Sequence, residues 1–240
     1  MAGINAALKL KGEPPLILTR DTSYIGILID DLVTKGTQEP YRIMTSRSEY
    51  RLLHRQDNAD QRLTHIGHRV GLVSDERLAQ VQAKYEAVRR ECNRLEANGV
   101  PVSRELNEML AKYESTPVAS SARLADLLRR PQVTYADLAP FDASRPELPA
   151  DVTQEVEIQV KYAGYLARQE KQVAQFKAEE SKALPADLDY ESIVGLRLEA
   201  RQKLSQIKPL SIGQAGRISG VSPADIAVLL IWLEQQKANR

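Results

Sequence analysis

Arginine is concentrated in one stretch of the sequence, where its side chains could bind phosphate. Residues 41–69 contain six arginines but three acidic residues, and they also contain all three histidines of the chain. A helix is predicted over Glu49–Arg55, opened by Ser46 or Ser48. Arg47, Arg51 and Arg55 recur at every fourth position, a spacing that puts their guanidinium groups on one face of a helix. Guanidinium groups bind phosphate oxygens in pairs. This predicts contacts with a nucleic-acid backbone or a cofactor pyrophosphate, with an ordinary ion-paired surface as an equally weighted alternative.

A second group of basic residues lies toward the end of the sequence. Its members are Arg197, Arg201, Lys203, Lys208 and Arg217, with Glu199 as the one acid among them. Beside it, residues 211–233 read as a helix, a turn and a second helix. That second helix is rich in leucine and isoleucine and has no basic residue before Lys237. A DNA-recognition helix needs polar and basic side chains, so we expect this helix to pack in a bundle.

Histidine and cysteine add little further chemistry. His65 and His68 stand three positions apart, a helical spacing at which two imidazoles can share a metal ion, but surface or interhelical histidines are the more common case. Cys92, the one cysteine, lies on an apolar helical stripe, and we expect a core side chain rather than a nucleophile. Glycine-rich phosphate-binding motifs and the GxSxG motif do not occur. We therefore predict neither a metal site nor a catalytic residue.

The composition is that of an ordinary globular protein. The chain has 240 residues, of which 42% are hydrophobic and 27% charged, and its formal net charge is +1. These values exclude wholesale disorder and an overall charge that would drive nucleic-acid binding. The longest apolar run, residues 226–233, is far shorter than the roughly 18 residues of a membrane span. With no secretory signal pattern, we expect a cytoplasmic protein without membrane contacts.

Helices must position these residues, because strand patterns are nearly absent. Ten further helices are predicted from three kinds of signal. These are capping residues at the start, apolar residues three and four positions apart, and glycine or proline at the end. The helices run over about 2–10, 24–35, 59–67, 75–98, 104–113, 121–130, 151–182, 190–206, 212–218 and 223–236. The proline-rich residues 139–149 are the expected interdomain linker. We predict a mostly α fold, a helical bundle or extended helical domain.

Several long motifs resemble those of one protein family. They are AGINAA at 2–7, EPPLILTR at 13–20, TSYIG at 22–26, LIDDLVTKG at 28–36, EPYRIMTSRSEYRL at 39–52, DNADQRLT at 57–64, PLSIGQAGRI at 209–218 and GVSPA at 220–224. Through these motifs the chain resembles the MnmG (GidA) family over essentially its whole length. Leu188 and Arg197 depart from the residues expected at those two positions.

The resemblance implies an FAD-dependent enzyme that modifies tRNA. With the GTPase MnmE as partner, such enzymes add a carboxymethylaminomethyl or aminomethyl group at C5 of the wobble uridine (U34). FAD and NADH bind to the amino-terminal half of the family, so this chain resembles the carboxy-terminal part and is expected to hold no cofactor and to be inactive alone. We expect a remnant of the α/β flavin domain and its connection over 1–70, a first helical subdomain over 71–145 and a C-terminal helical domain over 146–240. The full-length protein is expected to be a homodimer.

The resemblance also assigns roles to individual residues. Gly3, Ile4 and Asn5 match a segment where a helix N-terminus approaches the flavin. The residues expected to contact tRNA are Arg42, Arg47, Arg51, Arg55, Arg62, Arg197, Arg201, Lys203 and Arg217. Those expected to contact MnmE are Leu210, Ile212, Ile226 and Leu230. Two alternatives stay open: a purely structural helical module that mediates association, and a small metal-dependent enzyme that uses His65 and His68.

Overall fold

The structure, a computed structural model, describes residues 1–180 and 182–238 and is mostly helical. The α-helices in this part of the chain are α1 (Ala2–Leu10), α2 (Tyr24–Thr34), α3 (Ala59–Arg69), α4 (Asp75–Ala97), α5 (Arg104–Lys112), α6 (Leu124–Leu128), α7 (Ala150–Glu180), α8 (Leu198–Ile207), α9 (Ile212–Gly216) and α10 (Pro223–Ala238). Short 3-10 helices cover Thr45–Arg47, Ala136–Phe141 and Tyr190–Ser192. The predicted mostly α fold is confirmed. Within the described residues, no helix is long and apolar enough to cross a membrane.

The chain divides into two compact units. Unit 1 consists of residues 1–54 together with 168–240, and unit 2 consists of residues 55–167. These bounds differ from the three consecutive domains expected from the sequence, which stay a prediction. The proline-rich stretch predicted to be a linker is part of unit 2, because Phe141 and Leu148 pack against the apolar core of that unit.

Unit 2 is built around a core of aliphatic side chains from α4 to α7. Ser74 and Ser103 cap α4 and α5, each accepting a hydrogen bond from a backbone N–H in the first turn. The buried residues of the core include Val88, Leu95, Leu106, Leu128 and Val156. Two strands of two residues each, β1 (Gly99–Val100) and β2 (Ala122–Arg123), pair antiparallel with Gly99 opposite Arg123. Sequence patterns do not predict these strands, because two residues are too few to show an alternation.

Unit 1 has its own core around the C-terminal helices. Ile193, Leu204, Ile212 and Leu229 are almost completely buried there. Earlier in the chain, Ser23 caps α2 by accepting a hydrogen bond from the Gly26 N–H. Gly26 lies so close to the preceding segment that a Cβ atom would stand 2.2 Å from the Thr19 carbonyl oxygen. This close approach holds the start of α2 against residues 18–19.

Each unit uses one asparagine side chain in place of a strand partner. In unit 1 the Asn5 amide donates to the Leu16 carbonyl (3.1 Å) and accepts from the Leu16 N–H (2.8 Å). In unit 2 the Asn107 amide makes the same pair of bonds with Val118, at 3.2 and 2.8 Å. Both polar groups of an extended residue are therefore satisfied without a sheet.

The predicted helix over Glu49–Arg55 is wrong. Residues 49–53 instead form turns, in which the Leu53 and His54 N–H groups both donate to the Tyr50 carbonyl. His54 is buried edge-on to the rings of Tyr24 and Tyr50, with ring centroids 5.7 and 6.4 Å away. Its Nε2 atom donates to the Asp21 carbonyl (2.9 Å). These contacts with another segment outweigh the local helical spacing of the arginines.

The predicted helix over residues 190–206 is also shorter in the structure. A 3-10 turn covers Tyr190–Ser192, and α8 begins only at Leu198. Gly195 separates the two with a φ of +98°, a conformation that favours glycine. The intervening segment buries Ile193 and Leu196 in the core of unit 1, so packing rather than helical periodicity sets its path.

Candidate nucleic-acid interface

A buried arginine in unit 1 organises the segment that is rich in basic residues. The Arg20 guanidinium is 2% exposed and lies 2.7 Å from Asp31, 3.1 Å from Asp30 and 2.6 Å from Glu49. Burial would raise the pKa of the Asp31 carboxyl, but hydrogen bonds from Lys35, Tyr41 and Arg20 outweigh burial and lower that pKa. The cluster is thus a charged structural network. Sequence patterns do not single out Arg20, because its carboxylate partners lie 10 to 29 positions away.

Arg217, one of the predicted tRNA contacts, extends this network. Its Nε atom lies 2.7 Å from Asp30 Oδ2, and its Nη2 atom lies 3.0 Å from Asp30 Oδ1. Both side chains are mostly buried, at 15% and 12% exposed. In this bidentate ion pair the Arg217 guanidinium is bound to the carboxylate of Asp30, a residue of the same unit. Its geometry favours a structural role for Arg217 rather than a phosphate contact.

Arg197 is held at the start of α10. Its guanidinium contacts both oxygens of the buried Asp225 carboxylate, with Nη2 2.6 Å from Oδ2, and it donates to the Gly220 carbonyl (2.9 Å). The same carboxylate accepts from the Ser222 N–H (2.8 Å), which forms a capping box with that serine. The Arg197 hydrogen bonds, more than any other factor, hold the pKa of Asp225 far below its ordinary value.

The other predicted arginines with local partners are Arg47, Arg55 and Arg62. In unit 1 the Arg47 guanidinium stacks over the Tyr41 ring, 4.4 Å from its centroid. In unit 2 Arg55 pairs with Asp57 at 2.9 Å and lies 3.6 Å from the buried Glu155. Arg62 donates to the Asn58 side chain at 3.0 Å. The structure therefore does not bring Arg47, Arg51 and Arg55 onto one helix face.

Four of the predicted cations in unit 1 carry unneutralised charge. Arg42 and Arg51 are exposed, Lys203 is exposed on α8, and Arg201 is half-buried on the same helix. Among the described residues no carboxylate pairs with any of the four. The Arg201 Nε atom is buried without a hydrogen-bond partner in that part of the chain. These four side chains are the part of the predicted set that is available to an external anion.

The predicted flavin contacts lie at the start of α1. The helix begins at Ala2, so the N–H groups of its first turn have no acceptor within the helix. Gly3 is exposed, with open space where a Cβ atom would stand. The Asn5 side chain is engaged by Leu16. Gly3 and Ile4 therefore fit a backbone contribution to an anionic or electron-rich group, whereas the Asn5 side chain does not fit a ligand role.

The predicted partner contacts differ in exposure. Leu210 exposes 61% of its surface, but Ile212 is only 2% exposed and belongs to the core. Ile226 and Leu230 are half-buried and pack against the same core. Ile212 therefore acts in packing, because its apolar neighbours cover it. Leu210 is the member of the set that presents most of its side chain.

His65, His68 and Cys92 all lie in unit 2. His68 Nε2 lies 2.7 Å from the exposed Asp75 carboxylate, and His65 is exposed. Among the described residues, no group of three or more His, Cys, Asp or Glu side chains could hold a metal ion. Cys92 packs against the core of unit 2, and burial raises the pKa of its thiol to about 11. A thiol held protonated in this way is a poor nucleophile.

Two family models match consecutive parts of the chain. Residues 75–170 match the "tRNA modifying enzyme MnmG/GidA C-terminal helical domain", and residues 172–240 match the "tRNA modifying enzyme MnmG/GidA C-terminal helical bundle". Together they cover more than two thirds of the chain. It belongs to the MnmG/GidA family. The border between the two MnmG/GidA matches lies close to residue 168, where the compact units divide within α7.

Curated MnmG proteins align with the whole chain. The tRNA uridine 5-carboxymethylaminomethyl modification enzyme MnmG of Lachnoclostridium phytofermentans is 57% identical over 240 residues, which is 100% of this chain and 38% of that protein. The enzyme of the same name from Caldicellulosiruptor saccharolyticus is 55% identical over 99% of this chain and 38% of its own length. The chain thus spans about 38% of the length of the curated relatives it matches.

Solved GidA structures share the fold. Aquifex aeolicus GidA in its form II crystal superposes with a TM-score of 0.82 at 41% identity, covering 97% of this chain and 36% of the other. The form I crystal gives a TM-score of 0.78 at the same identity, covering 35% of that chain. The resemblance stated from the motifs is confirmed, and the chain corresponds to the C-terminal helical part of MnmG/GidA.

Proposed function

We propose that this chain is the C-terminal part of an FAD-dependent tRNA-modifying enzyme of the cytoplasm. The enzyme acts with the GTPase MnmE to add a carboxymethylaminomethyl group at C5 of the wobble uridine U34. The chain supplies binding to tRNA and to MnmE rather than the chemistry. Identity of 57% over the whole chain with a protein of that named activity supports the assignment.

The tRNA-binding role depends on one observation. Arg42, Arg51, Arg201 and Lys203 carry positive charge that no carboxylate of the described chain neutralises. Phosphate contacts by such cations dominate the affinity of proteins for nucleic acid, because they release condensed counterions. Arg197 and Arg217 are engaged by Asp225 and Asp30, and they rank below the other four as tRNA contacts.

Binding of the purified chain to tRNA over a range of salt concentrations tests this role. We expect a complex at low salt whose affinity falls as salt rises. Charge reversal at both α8 cations (R201E with K203E) should weaken binding at least tenfold and lower the slope of log affinity against log salt by about one to two. The matched control reverses two exposed cations of unit 2 that pair with no carboxylate among the described residues (R90E with K112E). No binding at any salt concentration, or equal losses in both variants, would contradict the tRNA role.

The flavin contribution of this chain is limited to the start of α1. FAD, when bound, supplies the redox chemistry of the enzyme. The N–H groups of Gly3 and Ile4 would face its electron-rich part, since the helix dipole favours negative charge at that end. In this chain no residue is assigned to NADH. In the full-length enzyme, G3A should weaken FAD retention, because the open space beside Gly3 is where a group could approach the backbone.

The association with MnmE is assigned to the surface around Leu210. This side chain is exposed on the turn before α9, next to the half-buried residues of the bundle. A partner protein can bury exposed apolar side chains of this kind in an interface. The variant L210S should weaken co-purification with MnmE, whereas L198S, which removes a similarly exposed leucine on α8, should not. Homodimer formation belongs to the full-length protein in this proposal.

The apolar face of α2 supports a second candidate function, a structural association module. Four apolar side chains along this helix are between 39% and 58% exposed: Ile25, Ile29, Leu32 and Val33. Apolar residues scattered singly over a surface are ordinary, whereas several on one helix can bind a partner. If the R201E and K203E reversal left tRNA affinity unchanged while an α2 variant such as L32S lost association, this second function would replace the first.

A further inference from the structure

The Tyr41 hydroxyl ties an extended segment to the buried charged network of unit 1. Residues 37–43, which follow α2, form neither helix nor strand. Among the described residues, the bond that Tyr41 Oη donates to Asp31 Oδ2 (2.7 Å) is the one hydrogen bond between this segment and the helices of unit 1. Asp31 is itself held by Arg20 at 2.7 Å and by Lys35 at 2.9 Å. The Tyr41 ring therefore has a fixed position relative to α2.

The same ring supports the Arg47 side chain. The guanidinium carbon of Arg47 lies 4.4 Å from the centroid of the Tyr41 ring, a distance at which a cation is attracted to the ring face. The Arg47 backbone is held by the 3-10 turn that it ends, since its N–H donates to the Met44 carbonyl at 3.0 Å. The side chain and the backbone of Arg47 are thus both restrained.

The charge of Arg47 is not neutralised by a carboxylate. Its side chain is half-buried, and none of the carboxylates that the structure describes forms an ion pair with it. The Arg20 guanidinium, in contrast, contacts three carboxylates, and Arg217 contacts Asp30. A guanidinium that stacks on an aromatic ring can still donate from the N–H groups at its edge. Arg47 is therefore a restrained cation that can bind an external anion.

We infer that Tyr41 is a positioning residue, which holds the Arg47 guanidinium in place for a phosphate group of RNA. A guanidinium binds two phosphate oxygens at once, and its long side chain loses rotational freedom when it does so. Stacking on Tyr41 restricts these rotations before the ligand arrives, so less affinity is lost on binding. The inference rests on the proposed tRNA binding and deepens it, because it adds Arg47 to the phosphate contacts.

The neighbouring cations favour RNA as the source of the phosphate. Arg42 and Arg51, both exposed, stand within five positions of Arg47, and none of the three pairs with a described carboxylate. Phosphates follow one another along an RNA chain, so several cations can each contact a different one. The FAD pyrophosphate, the other phosphate source in the family enzyme, offers a single pair of groups. FAD is therefore a separate arm of the test.

Binding of tRNA by the full chain over a range of salt concentrations tests the inference in a double-mutant cycle. R47Q should weaken binding about fivefold and lower the slope of log affinity against log salt by about 0.7–0.9. Y41L, which removes both ring and hydroxyl, should weaken binding about threefold in the wild-type background but have no effect when added to R47Q. Y41F keeps the ring for stacking and should recover at least half of the affinity that Y41L loses.

A second stacked arginine provides the matched control. Arg145 of unit 2 lies 4.2 Å from the Tyr135 ring centroid, but it donates to the Tyr135 carbonyl at 2.9 Å. R145Q therefore removes a stacked guanidinium of the same kind outside the inferred site. Its tRNA affinity should stay within twofold of the wild type and its salt slope should be unchanged.

The outcomes separate this inference from the function on which it depends. If the wild-type chain bound no tRNA at low salt, the proposed tRNA binding would fail, and the inference with it. If tRNA bound but Y41L weakened the R47Q variant as much as the wild type, Tyr41 would act independently of Arg47, and the inference alone would be overturned. A loss in R145Q equal to that in R47Q would overturn it as well.

Two further measurements address the source of the phosphate and the fold. In the full-length enzyme R47Q should retain FAD; loss of FAD with unchanged tRNA affinity would assign the phosphate to the flavin instead. Circular dichroism of each variant checks that the helices are retained, and R47K tests the stack without altering Tyr41. R47K keeps the charge but not the planar group, so it should bind tRNA about threefold more weakly than the wild type. Equal binding would contradict the positioning role.

Discussion

Asp30 and Arg217 form a two-pronged ion pair between residues 187 positions apart in the chain. The distances are 2.7 Å and 3.0 Å, and Asp30 also accepts from the buried Arg20. The pair joins α2 to the residue that follows α9, and thus connects the first and last parts of unit 1. Trp232, the one tryptophan of the chain, packs in the same unit against the core of the C-terminal helices. Its fluorescence can therefore report on the unfolding of this unit.

We expect a double-mutant cycle of R217Q and D30N to give a coupling free energy of about 1–3 kcal/mol, because the two groups are mostly buried and directly bonded. Urea unfolding followed by Trp232 fluorescence measures it. The exposed pair Arg104 and Glu108 of unit 2 provides the control. Its unfolding is followed by circular dichroism, and the expected coupling is about 0.5 kcal/mol or less. R217Q should leave tRNA affinity within twofold of the wild type. Loss of tRNA binding at unchanged stability would instead restore Arg217 as an RNA contact.

The C-terminal bundle should lose stability in acid through Asp225. The pKa of this carboxyl is held below its ordinary value, chiefly by hydrogen bonds from Arg197, so folding favours the charged form. Its contribution is complete above the ordinary pKa near 3.8 and is lost as the pH falls toward the lower pKa of the folded state. The variant D225N should cost about 2 kcal/mol at pH 7, since a buried, multiply bonded acceptor is weakened. The difference between wild type and D225N should shrink as the pH is lowered from 5 to 2, measured by Trp232 fluorescence; a difference independent of pH would contradict the assignment.

Two glycines in helices should respond to alanine in opposite ways. At Gly26 the added Cβ would lie 2.2 Å from a backbone oxygen that cannot move aside, and we expect G26A to cost more than about 3 kcal/mol. At Gly164 the space is open, and G164A should stabilise the chain by roughly 0.5–1 kcal/mol. Thermal unfolding followed by circular dichroism compares the two. A neutral G26A would show that residues 18–19 do not hold the start of α2.

Local signals predict much of the fold, because caps and helical spacing depend on neighbouring residues. Ser74 and Ser103 cap the helices that the sequence predicts there. The helix predicted over residues 75–98 is α4, which has 23 residues in the structure. The failure at Glu49–Arg55 has a non-local cause. His54 packs against Tyr24 and bonds to Asp21, and no spacing within residues 49–55 reveals contacts with residues about 30 positions away.

The candidate site was less predictable for the same reason. Basic residues are visible in the sequence, but their partners are not: Arg197 and Arg217 find carboxylates 28 and 187 positions away. Arg201 and Arg217 therefore differ in whether the folded chain brings a carboxylate next to the guanidinium, and the neighbouring sequence does not show this.

The paired hydrogen bonds of Asn5 and Asn107 make the protein sensitive to deamidation. Asn5 and Asn107 each use both the NH₂ group and the oxygen of the side chain on one extended residue. Deamidation would replace the NH₂ donor by a carboxylate oxygen that faces the carbonyl of Leu16 or Val118, so attraction would become repulsion. Deamidation of either asparagine, detected as a mass increase of about one dalton, should therefore loosen the segment around Leu16 or Val118.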